Sequence, residues 1–244
     1  MLVNHSKNKV MSTEKIIPRQ GFSVIFLWLA ILFNVCLITS NLFAAKVFQL
    51  WDWCVLPGAV IIFPISYVIN DCLSEVYGFR KSRLVIWTGF AMNFFLLLSS
   101  WIVIALPGAP FWEGDASFRY VFGAAPRAAF ASLAAFLVGS TLNAIVMSRM
   151  KVADRGLHFW RRAIISSLLG EAADSAIFIP IVFWSSGVRV ILVMMACQVV
   201  AKVLYEIIVL PFTSVFVKRL KSIEHIDTFD SSISYNPFKI RDID

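Results

Sequence analysis

Three groups of polar residues sit at helical spacing inside otherwise apolar sequence. Tyr67, Asp71 and Glu75 are four apart, which puts them on one face of a helix. Glu171 and Asp174, flanked by Ser167 and Ser175, lie in a later stretch, and Gln198, Lys202 and Glu206 repeat the four-residue spacing in the last one. Asn34, Asn41, Asn93 and Asn143 add amides. Such side chains can pass protons, accept hydrogen bonds from a ligand rich in N–H groups, or hold a cation. The acids Asp71, Glu75, Glu171, Asp174 and Glu206 stand against Lys202 alone, so they cannot all stay ionised in a dry site. Either some carry protons, or a cation or donor-rich ligand fills the space.

The elements that must position these groups follow from the composition. Of 244 residues, 59% are hydrophobic and 15% charged, against roughly 45–50% and about 25% in an ordinary soluble domain. A cytoplasmic globule is thereby excluded. Uncharged runs over Gly21–Ala45, Trp53–Asn70, Leu84–Trp112 and Ala128–Ser148 can each cross a bilayer, and Ala163–Gly187 and Val188–Val217 add two more with charges in their interiors. The sequence predicts an all-α polytopic membrane protein: a tail over residues 1–20, a domain of six transmembrane helices over 21–221, and a polar, poorly ordered tail over 222–244. The run after Arg19 is too long for a cleaved signal, whose apolar core has roughly 7–15 residues.

Lys and Arg gather before the first span (Lys7, Lys9, Lys15, Arg19) and after the second (Arg80, Lys81, Arg83). They gather again between the fourth and fifth (Arg149, Lys151, Arg155, Arg161, Arg162) and after the sixth (Lys218, Arg219, Lys221, Lys239, Arg241). The positive-inside rule then puts both termini in the cytoplasm. Trp51, Trp53, Trp112 and Trp184 fall near the outer boundary, as an aromatic belt requires. Because the basic clusters alternate with spans, the net charge of +7 indicates a lipid bilayer as surroundings, not a nucleic-acid partner. The connection from Pro107 to Pro126 reads either as an interfacial segment or as a lid over an outward-facing cavity.

Counting from the nearest basic anchor at about 1.5 Å per residue puts Asp71 and Glu171 roughly 14 Å deep, Asp174 and Glu206 about 18 Å and Lys202 about 24 Å. A charge at a helix centre costs roughly 2.5–3.5 kcal/mol. Three spans that bring charges to one slab therefore suggest a shared cavity near the midplane, where secondary transporters bind their substrates. Plainer readings exist. Lys202 and Glu206 could be only a buried pair that fixes packing, Glu75 could lie in the inner headgroup region near Arg80, and the asparagines could be interhelical glue. Asn41 and Asn143, Ser66 and Ser167, and Asp71 and Asp174 recur at nearly one offset. That echo is either chance or the trace of two inverted three-helix halves, an arrangement that supports alternating access. Cys36, Cys54, Cys72 and Cys197 show no C-x-x-C spacing, and neither metal nor cofactor is expected.

A membrane enzyme using paired carboxylates is the rival class. The sequence lacks H-E-x-x-H and G-x-S-x-G, and His5, His158 and His225 lie in tails or a loop. The blocks Asn41-Leu-Phe-Ala-Ala-Lys46, Pro64-Ile-Ser-Tyr67, Asp71-Cys-Leu-Ser-Glu75-Val-Tyr-Gly78 and Ser166-Ser-Leu-Leu-Gly-Glu171-Ala-Ala-Asp174-Ser, with Gln198, Lys202, Glu206 and Pro211, resemble the bacterial queuosine precursor transporter family. That family is also described as a vitamin uptake transporter family. The resemblance implies a carrier, not an enzyme, that brings a 7-deazaguanine base such as 7-cyano-7-deazaguanine across the inner membrane for tRNA modification. Asn41, Tyr67, Asp71, Glu75, Asn93, Glu171, Asp174, Gln198, Lys202 and Glu206 are the expected substrate-binding residues. Asp71, Glu171 and Asp174 would accept the parallel N–H donors of a guanine-like edge, with Tyr67 or Phe178 stacked on its plane. Lys202 and Glu206 would form a neighbouring pair that responds to proton or substrate entry. Another vitamin-like solute, a partner chain and a homo-oligomer stay open.

Overall fold

The computed structural model describes residues 22–50, 54–123, 126–231 and 233–239. The expected N-terminal tail, Trp51, Trp53 and Arg241 lie outside the described residues. Ser23 opens α1 (Val24–Phe43), its Oγ accepting from the Phe26 N–H at 3.0 Å as an N-cap should. A short antiparallel hairpin, β1 (Val47–Leu50) with β2 (Cys54–Pro57), leads through a single 3-10 turn at Gly58–Ile61 into α2 (Phe63–Ala105). The short α3 (Asp115–Phe122) precedes α4 (Pro126–Ala153), α5 (Phe159–Val182) and α6 (Val188–Glu224). Five of these helical elements are long and apolar enough to cross a membrane. Trp28, Phe95, Ile102, Ile208 and Phe212 stand exposed on the outside of the bundle, a surface that suits lipid better than water. The chain is an all-α polytopic membrane protein with one small hairpin added.

α2 is not one straight rod. Gly78, with φ +83° and ψ 170°, breaks it after Tyr77. The Ser74 hydroxyl donates to that of Ser82 at 3.0 Å, whereas eight residues of straight helix would span about 12 Å. Neighbours along α4 show how far the chain turns. Before the break, Tyr67 lies beside Gly139 and Asn70 bonds to Ser140, so this half runs parallel to α4. After it, Gly89 sits against Phe136, and Asn93 bonds to Asn41, which also accepts from Ser132, so the second half runs antiparallel to α4. α2 is therefore a helical hairpin, and five continuous elements supply six rods. The turn and the ends of α4 and α6 share one end of the bundle, here the basic end. The β hairpin and α3 share the far end.

Small residues let α4 and α5 approach closely. A Cβ on Gly139 would lie 2.8 Å from the Gly170 carbonyl oxygen, and one on Gly170 would lie 2.8 Å from that of Gly139. Phe33, Leu37, Leu73, Val76, Phe79 and Ile86 fill the core between α1 and the α2 hairpin.

Of the segment expected to be a poorly ordered tail, the described residues 222–231 and 233–239 are packed instead. α6 continues to Glu224, and the following residues fold across the basic end. The Thr228 N–H donates to the Val76 carbonyl at 3.2 Å, Arg83 to the Asn236 carbonyl at 2.8 Å and the Trp87 indole to that of Pro237 at 2.7 Å. Asp230 Oδ2 accepts from the Phe79 N–H at 2.8 Å and from the Ser148 hydroxyl at 2.5 Å. The break at Gly78 frees backbone N–H groups at the start of a new helix half, and Asp230 supplies the acceptor an N-cap would.

Gly78→Ala should therefore lower stability by about 1–2 kcal/mol, since a side chain is strained at this φ. The new Cβ would also meet Thr228 Cγ2 at 2.8 Å and Asp230 Oδ1 at 2.9 Å. Thermal unfolding in detergent measures the loss, and faster proteolysis of residues 226–239 should accompany it. An unchanged melting temperature and an equally protected tail would refute this account of the turn.

Candidate functional site

The polar residues form a column along the bundle axis, ordered by the helical period. Running towards the basic end, the first half of α2 presents Phe63, Tyr67, Asp71 and Glu75 at one-turn intervals. α6 runs the same way with Gln198, Lys202 and Glu206, and α5 runs back with Arg162, Ser166, Ser167, Glu171, Asp174 and Phe178. The column has three levels.

The uppermost level is a cavity of about 420 Å³ near the far end, bounded there by Leu56 and Pro57 of the β hairpin and by Tyr120, Val121 and Phe122 of α3. Asn41, Asn93, Asp174, Gln198 and Lys202 line it, with Phe63 and Phe178. Part of the Pro107–Pro126 connection, Tyr120 to Phe122, thus borders the cavity. Lys202 Nζ donates to Asp174 Oδ2 at 2.9 Å and lies 4.5 Å from the centre of the Phe63 ring. Gln198 accepts from the Ser175 hydroxyl at 3.3 Å, and Asn41 donates to Asn93 at 2.5 Å. The Lys202–Glu206 pair read from the sequence does not form. Helical side chains lean towards the helix N-terminus, which carries the lysine up to Asp174 and away from Glu206.

The middle level lies behind the cavity wall. Asp71 Oδ1 accepts from the Asn143 amide at 2.9 Å, and the Ser166 and Ser167 hydroxyls approach the carboxylate at 3.4 Å and 3.5 Å. Tyr67, Glu171 and Glu206 are buried here too, and the Tyr67 hydroxyl and all four carboxyl oxygens lack a hydrogen-bond partner among the described residues. Tyr67 lies within electrostatic reach of Asp71, Glu171, Asp174 and Glu206.

The lowest level holds Glu75, which does not line the cavity. It is fully buried. Arg162 grips it with one nitrogen at 2.9 Å from each carboxylate oxygen, Lys221 donates to Oε1 at 2.6 Å and Lys151 stands 3.8 Å away. Lys151 also donates to the Glu75 carbonyl and, at 2.5 Å, to Asp227. Burial pushes the Asp227 carboxyl up, yet the hydrogen bonds from Lys151 and Lys221 outweigh it and hold the group below the usual carboxylate range. Sequence reasoning missed Lys151, Arg162 and Lys221 as inward-facing partners. They sit within basic clusters that topology alone accounts for, and the only signal was that a buried Glu75 needs a counter-charge.

Of the ten expected residues, the structure gathers Asn41, Asn93, Asp174, Gln198 and Lys202 on the cavity wall, and Tyr67, Asp71, Glu171 and Glu206 in the layer beneath it. Glu75 is set apart by its ion pairs. The wall offers acceptors, one ammonium and several aromatic side chains, a set suited to holding a small polar ring.

A family model described as "Putative vitamin uptake transporter" matches residues 57–216. The chain is 27% identical over 168 residues to the queuosine precursor transporter of Escherichia coli (strain K12), covering 68% of this chain and 72% of that one. It is 29% identical over 162 residues to the probable queuosine precursor transporter of Bacillus subtilis (strain 168), covering 65% and 68%. A third relative, the probable queuosine precursor transporter of Haemophilus influenzae, is 30% identical over 128 residues, 52% of each chain. No solved structure shows significant similarity to the chain. The matched residues take in α2, α4, α5 and most of α6, hence every charged group on the cavity wall and beneath it, and the chain belongs to the vitamin uptake transporter family.

Proposed function

We propose that the protein imports a queuosine precursor, a 7-deazaguanine base such as 7-cyano-7-deazaguanine, across the bacterial inner membrane. Its basic end then faces the cytoplasm. The observation that carries this reading is the Asp174–Lys202 pair on the wall of a cavity of about 420 Å³, a volume within the range of roughly 300–1,000 Å³ usual for small-molecule sites. A guanine-like edge offers an N–H beside an amino group, and one carboxylate can accept both. Asp174 is the acid at the cavity surface, Phe178 and Phe63 are the faces for stacking, and Asn41, Asn93 and Gln198 supply further polar contacts. Asp71, Glu171 and Glu206 act from behind the wall. The names of the relatives support the cargo class, and the cavity chemistry is compatible with it.

The test is uptake of labelled 7-cyano-7-deazaguanine by liposomes containing the purified chain. Accumulation of unmodified base, competed by unlabelled deazaguanines and not by unrelated vitamins, is the expected result. Uptake of a vitamin in its place would overturn the cargo, and no uptake of either would overturn the self-sufficient carrier.

A further inference from the structure

Glu171 is fully buried and Glu206 is 4% exposed, and no oxygen of either has a hydrogen-bond partner among the described residues. The Tyr67 hydroxyl, also unpartnered among the described residues, lies against Gly139 of α4, where a Cβ would be 2.6 Å from it, and interacts electrostatically with both acids. The groups facing Glu171 come from three helices: Tyr67 from α2, Asp174 from α5, and Lys202 and Glu206 from α6. Glu206 in turn faces Asp71 and Ser167. Lys202 is the one cation on this list, and it is engaged with Asp174. From α4, Asn143 donates to Asp71 and to the Ser167 hydroxyl.

A carboxylate buried this deeply, with no hydrogen bond to its oxygens from the described residues, is costly to keep charged, so it carries a proton or holds a metal cation. A hard metal cation requires several oxygens converging at about 2.0–2.6 Å, and among the described residues no group of three or more acidic, His or Cys side chains gathers closely enough to hold one. A proton needs a single carboxyl.

We propose that Glu171 and Glu206 form a proton-binding site that couples proton entry to transport through Lys202. When Glu171 is neutral, Lys202 belongs to Asp174 alone, which is the arrangement seen, and the cavity wall is set for substrate. When Glu171 loses its proton, the lysine is drawn between two carboxylates and the wall loses that geometry. Proton and substrate therefore favour the same state, and by linkage each raises the affinity for the other, the condition for symport. The proton leaves Glu171 by way of Glu206 and Asp71, the next acids towards the basic end. This inference rests on the carrier reading above.

Two measurements test it. In liposomes, accumulation of labelled 7-cyano-7-deazaguanine should rise about tenfold per unit of pH gradient, interior alkaline, for one proton per substrate. A protonophore should abolish that rise, and Glu171→Gln should leave whatever uptake it retains insensitive to pH. The second measurement needs no substrate. Infrared spectra of the purified protein at neutral pH should contain a protonated-carboxyl C=O band that weakens in Glu171→Gln and in Glu206→Gln. Failure of the wild type to take up the base counts against the cargo and leaves the infrared band to decide the proton site. A band that neither variant weakens, accumulation that follows a sodium gradient, or pH-driven accumulation that survives in Glu171→Gln would overturn the proposal.

Discussion

Glu75→Ala should destabilise the bundle by about 3–5 kcal/mol, the range for removing one partner of a buried ion pair. Arg162 is fully buried, and without Glu75 its second nitrogen has no anion to meet, although Asp154 still holds the first at 2.7 Å. Lys221 and Lys151 would be left with Asp227, which lies 2.9 Å from Lys221, as their remaining acid. Three cations would then crowd one end of the bundle, where the sequence positions of α2, α4, α5 and α6 meet. The measurement is thermal unfolding in detergent, together with the fraction of protein that elutes as a folded species. Glu75→Met combined with Arg162→Met should recover part of the loss, because an apolar pair of similar volume needs no counter-charge. If the single variant melts like the wild type, the ion-pair cluster is ornamental and its burial has no energetic consequence.

That cluster also marks where reading the chain stops short. The apolar runs, the spacing of Tyr67, Asp71 and Glu75, and the deep acids of α5 and α6 were legible because length and period are local properties. The break between the second and third runs was legible too: Arg80, Lys81 and Arg83 follow Gly78, and lipid would not tolerate them mid-span. Direction was not legible. Arg162 and Lys151 read as loop charges because the positive-inside rule counts charges and is blind to whether a side chain turns inward. Lys202 is within one turn of Glu206 and pairs with Asp174, a choice set by the lean of helical side chains and by the helix packed opposite. The tail escaped notice for another reason. Its composition is that of a solvated end, and what docks it are scattered contacts to residues far away in sequence, among them Asp230 meeting the Phe79 N–H exposed by the turn and the Asn236 and Pro237 carbonyls meeting Arg83 and Trp87.

Asp174→Asn should weaken binding of the deazaguanine base roughly 10- to 100-fold, in keeping with about 1–3 kcal/mol for one bidentate contact to a base edge. The substitution keeps the shape of the side chain but replaces one acceptor oxygen with a donor. That NH₂ must then face either the Lys202 ammonium, now 2.9 Å from Asp174 Oδ2, or the donors of the ligand. Both meetings set donor against donor. Two losses are mixed in this variant, because Lys202 is 2% exposed and also loses its counter-charge, so the melting temperature without ligand must be recorded alongside affinity. A ligand change separates them. An analogue lacking the exocyclic amino group should bind the wild type more weakly than the parent base by that same factor, while Asp174→Asn should scarcely distinguish the two. The interaction between the side-chain change and the ligand change isolates the contact itself, free of whatever the variant costs in folding. A preference for the amino-bearing base that persists undiminished in Asp174→Asn would mean that the edge is read elsewhere, by Asn41, Asn93 or Gln198, and that the Asp174–Lys202 pair serves the structure of the cavity and not recognition of its contents.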